Sequence, residues 1–192
     1  MQKVGKLIPN KVPDQCWQVI SIDMIRELPD SKGYNAIPVV VDHLSKWIHT
    51  IPTVTSLDST GVAQLFLKHV WHHHGLPEEV ISDCRPTFMS NFSHELVALL
   101  RVKLTPSTSY HPQTDSQTEC VNQEIEAYLH VFVSHQQGNW ADWLPLAEFT
   151  YNNKIHVATC WTPFELDTSQ HPCLGVEPMR MLTVEAVDTF VR

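Results

Sequence analysis

The sequence lacks several features that would assign it at once to a broad class of protein. No apolar run approaches the roughly 18–20 residues that a membrane span needs. The N-terminal stretch MQKVGKLIPNKVPDQ lacks the continuous apolar core of a signal peptide. The five cysteines form no CxxC pair and are odd in number, which indicates free thiols in a reducing compartment. We therefore expect neither a membrane partner nor a disulfide framework.

An excess of basic residues is also missing. The chain has 13 Lys and Arg residues against 21 Asp and Glu residues, for a formal net charge of −8. A generic nucleic-acid binder would usually show a basic stripe. A metal-dependent nuclease stays possible, because bound divalent ions reverse the local sign of a cluster of acids.

The length of 192 residues suits one domain that buries a real core. Hydrophobic periodicity and turn residues predict strands at 17–25, 34–42, 46–53, 79–82 and 102–106. Helices are predicted at 58–74, 91–100, from about 115, at 140–152 and at 162–166. This order is typical of an α/β domain with a mixed five-stranded sheet flanked by helices. We divide the chain into a linker (1–16), a core (17–160) and a C-terminal extension of the core (161–192).

Three acids stand on three separate predicted elements. Asp23 lies in the strand-like run WQVISIDMI, Asp83 ends a short buried strand, and Glu119 lies one turn into the long helix. Asp83 and Glu119 have 35 residues between them. A two-metal phosphoryl-transfer site needs one bridging carboxylate and a further acid for each ion. The arrangement predicts such a site.

Other polar residues have competing interpretations. Asp42 and Asp115 are the alternative carboxylates, and Asp115 is better explained as an acid that favours the N-terminal helix dipole. The tract His72–His74 resembles a metal-binding run, but a solvated helix C-terminus is the favoured interpretation. His111 either positions a phosphate or caps its loop.

With these residues in place, the chain resembles the integrase catalytic core of gypsy-type long-terminal-repeat retrotransposons, within the ribonuclease H-like superfamily. The resemblance covers roughly residues 12–180, and the block at 110–126 is specific to the family. The motifs that carry it are SIDMI, VVVDHLSKW, HGLPEEVISD, YHPQTDSQTECVNQEIE, LAEFTYNN and TPFEL.

The resemblance implies a ribonuclease H-like fold and a polynucleotidyl transferase. It would process the 3′ ends of the element's cDNA and join them to target DNA with two Mg²⁺ ions, for which Mn²⁺ could substitute. The family's catalytic and metal-binding triad carries over to Asp23, Asp83 and Glu119, with Asp23 bridging both ions. One ion would activate the attacking oxygen and the other would stabilise the leaving oxygen.

Further expectations follow from the same resemblance. Four residues match positions near the site where related enzymes contact DNA, namely Tyr110, His111, Gln113 and Asn122. A homo-oligomer, a dimer or higher, is expected, and action on chromosomal DNA implies the nucleus without any visible targeting signal.

The chain departs from the family pattern at several positions. Cys84 and Cys120 replace arginines, Arg85 and Ser116 replace glycines, and Pro38 replaces an aliphatic residue within a predicted strand. These changes leave the triad intact but remove basic residues around it. The alternative function is therefore a decayed or domesticated core that binds nucleic acid or protein without catalysis. A third possibility is another ribonuclease H-like nuclease, against which the HPQTD block weighs.

Overall fold

A computed structural model describes residues 12–82, 86–100, 121–130 and 138–173, without the side chains of 86–89. The strands are β1 (Val19–Ile25), β2 (Ile37–Asp42), β3 (Ile48–Thr50) and β4 (Glu79–Ile81). The helices are α1 (Ser59–Phe66), a π-helical segment (Leu67–Trp71), α2 (His72–His74), α3 (Pro86–Leu100), α4 (121–130), α5 (Trp140–Asn152) and α6 (Pro163–Thr168). Within these ranges no helix is long and apolar enough to cross a lipid bilayer.

The described strands form one mixed sheet in the order β3-β2-β1-β4. β2 pairs antiparallel with both β1 and β3, whereas β4 pairs parallel with β1. The predicted α/β class and mixed sheet are thus confirmed, with four strands in the described part of the chain instead of five. The fifth predicted strand, at 102–106, lies outside the described residues.

Each of the first three strands is shorter than predicted, and Pro38 shows why β2 and β3 pair only briefly. The β1–β2 ladder runs through Pro38, which pairs with Met24. On the other side, Ile51 donates its N–H to the Pro38 carbonyl at 3.2 Å. Proline has no N–H with which to donate a hydrogen bond to β3, and the β2–β3 ladder ends at the pair Val39 and Thr50. Pro38 thus interrupts the ladder with β3, whereas the pairing with β1 continues past it to Ile37.

Alternation along the strands divides the apolar side chains between two cores, one on each face of the sheet. One core joins odd-numbered residues of β1 and β2, such as Ile25 and Val39, to α4 and α5. The other joins even-numbered residues, such as Ile20 and Val40, to α1 and α3. Any polar side chain at an odd position of β1 therefore lies on the face that α4 covers.

The helices follow their sequence signals with two differences. The side chain of Asp58 accepts from the N–H of Gly61 and caps α1, and Thr162 forms a capping box with Glu165 at α6. Helix α3 begins at Pro86, earlier than predicted, and proline is well suited to a first helical position. The predicted helix at 58–74 contains the π-helical segment, which the α-helical periodicity did not indicate.

Helix α5 is fastened to the outer edge of β3 by one buried side chain. Asn152 is 2% exposed. Its Oδ1 accepts from the N–H of Ile48 at 2.9 Å, and its Nδ2 donates to the carbonyl of Ile48 at 3.0 Å. The amide thus satisfies both outward backbone groups of a buried edge residue, which would otherwise lack a partner.

We predict that Asn152→Ala lowers the free energy of unfolding by about 2–4 kcal/mol, because two buried backbone groups lose their partners. Chemical denaturation with urea measures the change. The matched control is Asn91→Ala on the exposed surface of α3, which should stay within about 0.5 kcal/mol of the parent chain. Equal stability of both variants would show that Asn152 does not anchor the edge.

Candidate active site

Asp23 occupies an odd position of β1 and is partly buried on the face covered by α4. Its Oδ1 accepts from the backbone N–H of Met24 at 2.7 Å. Its Oδ2 accepts from Nδ2 of Asn122 at 2.6 Å. Each carboxylate oxygen has two acceptor sites, so these two bonds orient the group and leave further lone pairs for a ligand.

Asn122 joins α4 to β1 across 99 residues of sequence. Because a carboxylate only accepts hydrogen bonds, the amide must present Nδ2 to Asp23. Its Oδ1 is then directed elsewhere; this atom is buried and has no hydrogen-bond partner among the described residues. A buried amide oxygen without a partner costs free energy, so this oxygen is suited to accept from a bound ligand or water.

The remaining predicted site residues lie outside the described residues. They are Asp83 and Glu119 of the triad and Tyr110, His111 and Gln113 of the predicted DNA contacts. Asn122 was predicted as a DNA contact, and its hydrogen bond to Asp23 was missed. Asn122 follows Glu119 by three residues, a spacing that predicts neighbouring positions on one helix face, and this is the one local signal of a role near the acids.

Asp42, the competing carboxylate, has a structural role. Its side chain is fully buried. Oδ1 accepts from the N–H of Trp17 at 2.9 Å, and Oδ2 accepts from the N–H and the hydroxyl of Ser45 at 2.8 and 2.6 Å. Three hydrogen bonds satisfy this carboxylate inside the protein and hold the turn that follows β2. The other competitor, Asp115, lies outside the described residues.

The histidine tract differs from its prediction at one position. His72 and His73 are exposed, as expected of a solvated helix end. His74 is largely buried, and its ring stacks on Trp17 with the ring centroids 3.6 Å apart. In the described part of the chain, no group of three or more His, Cys, Asp or Glu side chains is arranged to hold a metal ion. This finding leaves the triad untested, since two of its acids are not described.

The chain is similar to curated transposon proteins of fission yeast. Over 175 residues, which is 89% of the chain, it is 37% identical to the transposon Tf2-3 polyprotein of Schizosaccharomyces pombe. The Tf2-4 polyprotein of the same organism matches equally well. The chain spans 13% of the length of these polyproteins. A comparison with protein-family models finds no match.

Solved structures show the fold of this segment. A chain of the simian T-cell lymphotropic virus intasome aligns with 92% of this chain and 62% of its own length, at a TM-score of 0.66 and 19% identity. The dimeric HTLV-2 integrase catalytic core domain in complex with magnesium aligns over 80% of this chain and 98% of its own, at a TM-score of 0.59 and 18% identity. The chain is homologous to a segment of these retrotransposon polyproteins and has the fold of retroviral integrase catalytic cores, which is consistent with the predicted gypsy-type integrase core.

Proposed function

We propose that this integrase core processes the 3′ ends of element cDNA and transfers them to target DNA in a Mg²⁺-dependent reaction. Asp23, Asp83 and Glu119 are the proposed catalytic metal ligands. The observation that carries the proposal is the hydrogen bond between Asp23 and Asn122. It brings the family-specific segment around Asn122 into direct contact with the first acid of the triad, although the two are distant in sequence.

The pairing of β1 with β4 supports Asp83 as the second acid. Each paired residue of β1 faces the residue of β4 whose number is higher by 60, and the pairs are Val19 with Glu79, Ile20 with Val80 and Ser21 with Ile81. Asp23 and Asp83 differ by the same number. Two more residues of the same parallel pairing would bring these acids to neighbouring positions on adjacent strands.

The spacing between Glu119 and Asn122 supports the third acid. Residues three apart on a helix are neighbours on its surface. With α4 extended back to Glu119, as the sequence predicts, its carboxylate would lie one turn from the amide that contacts Asp23. The three acids would then converge from β1, from the end of β4 and from α4.

The described part of the site fits a hard divalent cation. Mg²⁺ prefers oxygen ligands, and Asp23 offers two carboxylate oxygens whose hydrogen bonds to Met24 and Asn122 leave further lone pairs. Two bound Mg²⁺ ions supply activation of the attacking oxygen and stabilisation of the leaving oxygen. The protein's own contribution is orientation, because Asn122 and the Met24 N–H fix the carboxylate of Asp23 before any ligand binds.

The partners in this proposal are the ends of the element cDNA and the target DNA, with Tyr110, His111, Gln113 and Asn122 as contacts. The formal charge of −8 implies that metal ions must first offset the acids. Self-association is proposed because the HTLV-2 core domain has both dimeric and trimeric forms. Reaction with chromosomal DNA would take place in the nucleus.

We predict that the chain reverses strand joining on a branched DNA substrate in Mg²⁺ or Mn²⁺. Glu119→Gln should lower this activity by at least about 100-fold, because it removes a carboxylate ligand. Product formation is measured on gels with labelled DNA. The matched control is Glu126→Gln, an exposed position on α4, which should keep the parent activity.

Two results would contradict the enzyme proposal. One is equal activity of the Glu119→Gln and Glu126→Gln variants. The other is a folded parent chain without activity and without Mg²⁺ binding by calorimetry. The second result would instead favour a core that binds nucleic acid or protein without catalysis.

We predict that Asn122→Ala raises the Mg²⁺ concentration for half-maximal activity by about 10-fold or more, because Asp23 loses the donor that orients it. The control is Gln123→Ala at the exposed neighbouring position. A titration of Mg²⁺ at saturating DNA, with circular dichroism to confirm folding, measures the effect. An unchanged Mg²⁺ dependence with a raised KM for DNA would show that Asn122 acts on DNA instead of on Asp23.

A further inference from the structure

Two histidine side chains contact each other at the outer strand of the sheet. His49 is the middle residue of β3, and His74 is the last residue of α2. Their Nε2 atoms are 2.9 Å apart. The side chains are 13% and 11% exposed, respectively. Contact between two ring nitrogens requires a cation or a proton between them, because two bare lone pairs at this distance repel each other.

The ring of His49 is oriented by a carboxylate. Its Nδ1 lies 3.1 Å from Oε1 of Glu148 on α5. Glu148 is itself held by Thr50, whose N–H and hydroxyl both donate to Oε2 at 2.7 Å. Because the carboxylate accepts only, Nδ1 of His49 carries a proton. In the neutral ring, Nε2 therefore presents its lone pair to His74.

The ring of His74 has a similar environment. It stacks on Trp17 with an interplanar angle of 15°. Its Nδ1 lies 3.9 Å from Oδ2 of Asp167 on α6, at ion-pair distance, and Asp167 accepts from Nε1 of Trp17 at 2.6 Å. The 3.9 Å separation is too long for a hydrogen bond. Without a metal, Nε2 of His74 therefore donates to the Nε2 lone pair of His49, and a bound cation would take the place of this proton.

We infer that His49 and His74 form a binding site for a divalent transition metal of the Zn²⁺ class, with both Nε2 atoms as ligands. Imidazole nitrogen suits Zn²⁺ and its neighbours, whereas Mg²⁺ prefers oxygen. A carboxylate hydrogen-bonded behind a ligating histidine, as Glu148 is behind His49, is the usual outer support of such sites. With Zn–N bonds of about 2.0–2.1 Å, tetrahedral geometry needs the nitrogens about 3.3 Å apart, so the rings must separate by only a few tenths of an ångström.

A second proton on the imidazole of His74 competes poorly with a metal ion. Burial, and then the neighbouring histidines His49, His73 and His72, lower the pKa of His74 to about 3. Burial is also the main cause that lowers the pKa of His73. The ring of His74 is therefore neutral at physiological pH, which is the form that binds metal.

Water molecules complete the coordination of the proposed ion. No third His, Cys, Asp or Glu side chain in the described ranges is placed to hold the same ion. A cavity of about 490 Å³, lined by His49, His69, His73 and Glu148 among others, lies against His49 and has room for water ligands. The bound ion would connect β3 and α2 directly, and α5 and α6 through the two carboxylates.

Zinc binding is tested on the full chain carrying Asp23→Asn, in excess Mg²⁺, so that the acidic site does not contribute. Isothermal titration with ZnCl₂ should show one bound Zn²⁺ per chain. His49→Gln and His74→Gln should each weaken binding at least about tenfold, because each removes one of two protein ligands. His72→Gln, at the exposed position two residues before His74, should bind as the parent does.

Imidazole ¹⁵N spectra of the same chain test the ligands without altering them. Addition of ZnCl₂ should shift the Nε2 resonances of His49 and His74 and leave those of His72 in place. Unshifted Nε2 resonances at millimolar ZnCl₂, or equal affinity in the His49→Gln and His72→Gln variants, would overturn the site. Neither result depends on whether the acidic triad is catalytic, because the Asp23→Asn background has no competent triad.

Discussion

Strand β1 must be buried within the sheet and must also carry a charged side chain. The arrangement of the sheet depends on how these two demands are reconciled. It is paired on both edges and covered by helices on both faces, so an unpaired charge within it would be costly. Yet it carries the carboxylate of Asp23. The conflict is resolved by partial burial and by two donors, the Met24 N–H and the Asn122 amide. The sheet can thus hold a carboxylate next to its core without leaving it unsatisfied.

The donor from α4 is held in place by packing. Val121, Ile125 and Leu129 of α4 are buried against the same face of the sheet from which Asp23 projects. Asn122 follows directly after Val121, so the rotation of the helix that buries the apolar stripe also sets the position of the amide. Stability and site geometry therefore depend on the same contacts. A mutation that loosens the stripe should disturb Asp23 as well, although it touches no site residue.

Local sequence patterns predicted the helices and strands of this fold better than they predicted the contacts between those helices and strands. Apolar periodicity and capping residues predicted the bounds of α5 and the start of α6, because those signals act within one or two turns. The Asn122–Asp23 hydrogen bond joins residues 99 apart and has no local signature. The tract His72–His74 shows the same limit: three identical side chains follow a π-helical segment, and the last one alone is drawn into the protein against Trp17. Asp83 and Glu119 rest on sequence patterns because they lie outside the described residues.

The outer edge of β3 has a consequence for how copies of this core can associate. An exposed strand edge normally invites pairing with a strand from another molecule. Here the outward N–H and carbonyl of Ile48 are taken by Asn152, and the N–H of Thr50 is taken by Glu148. Helix α5 therefore closes this edge with its own side chains, and the sheet cannot be continued from one molecule into the next there. Any contact between copies along this side would therefore have to be made by side chains and not by a shared sheet.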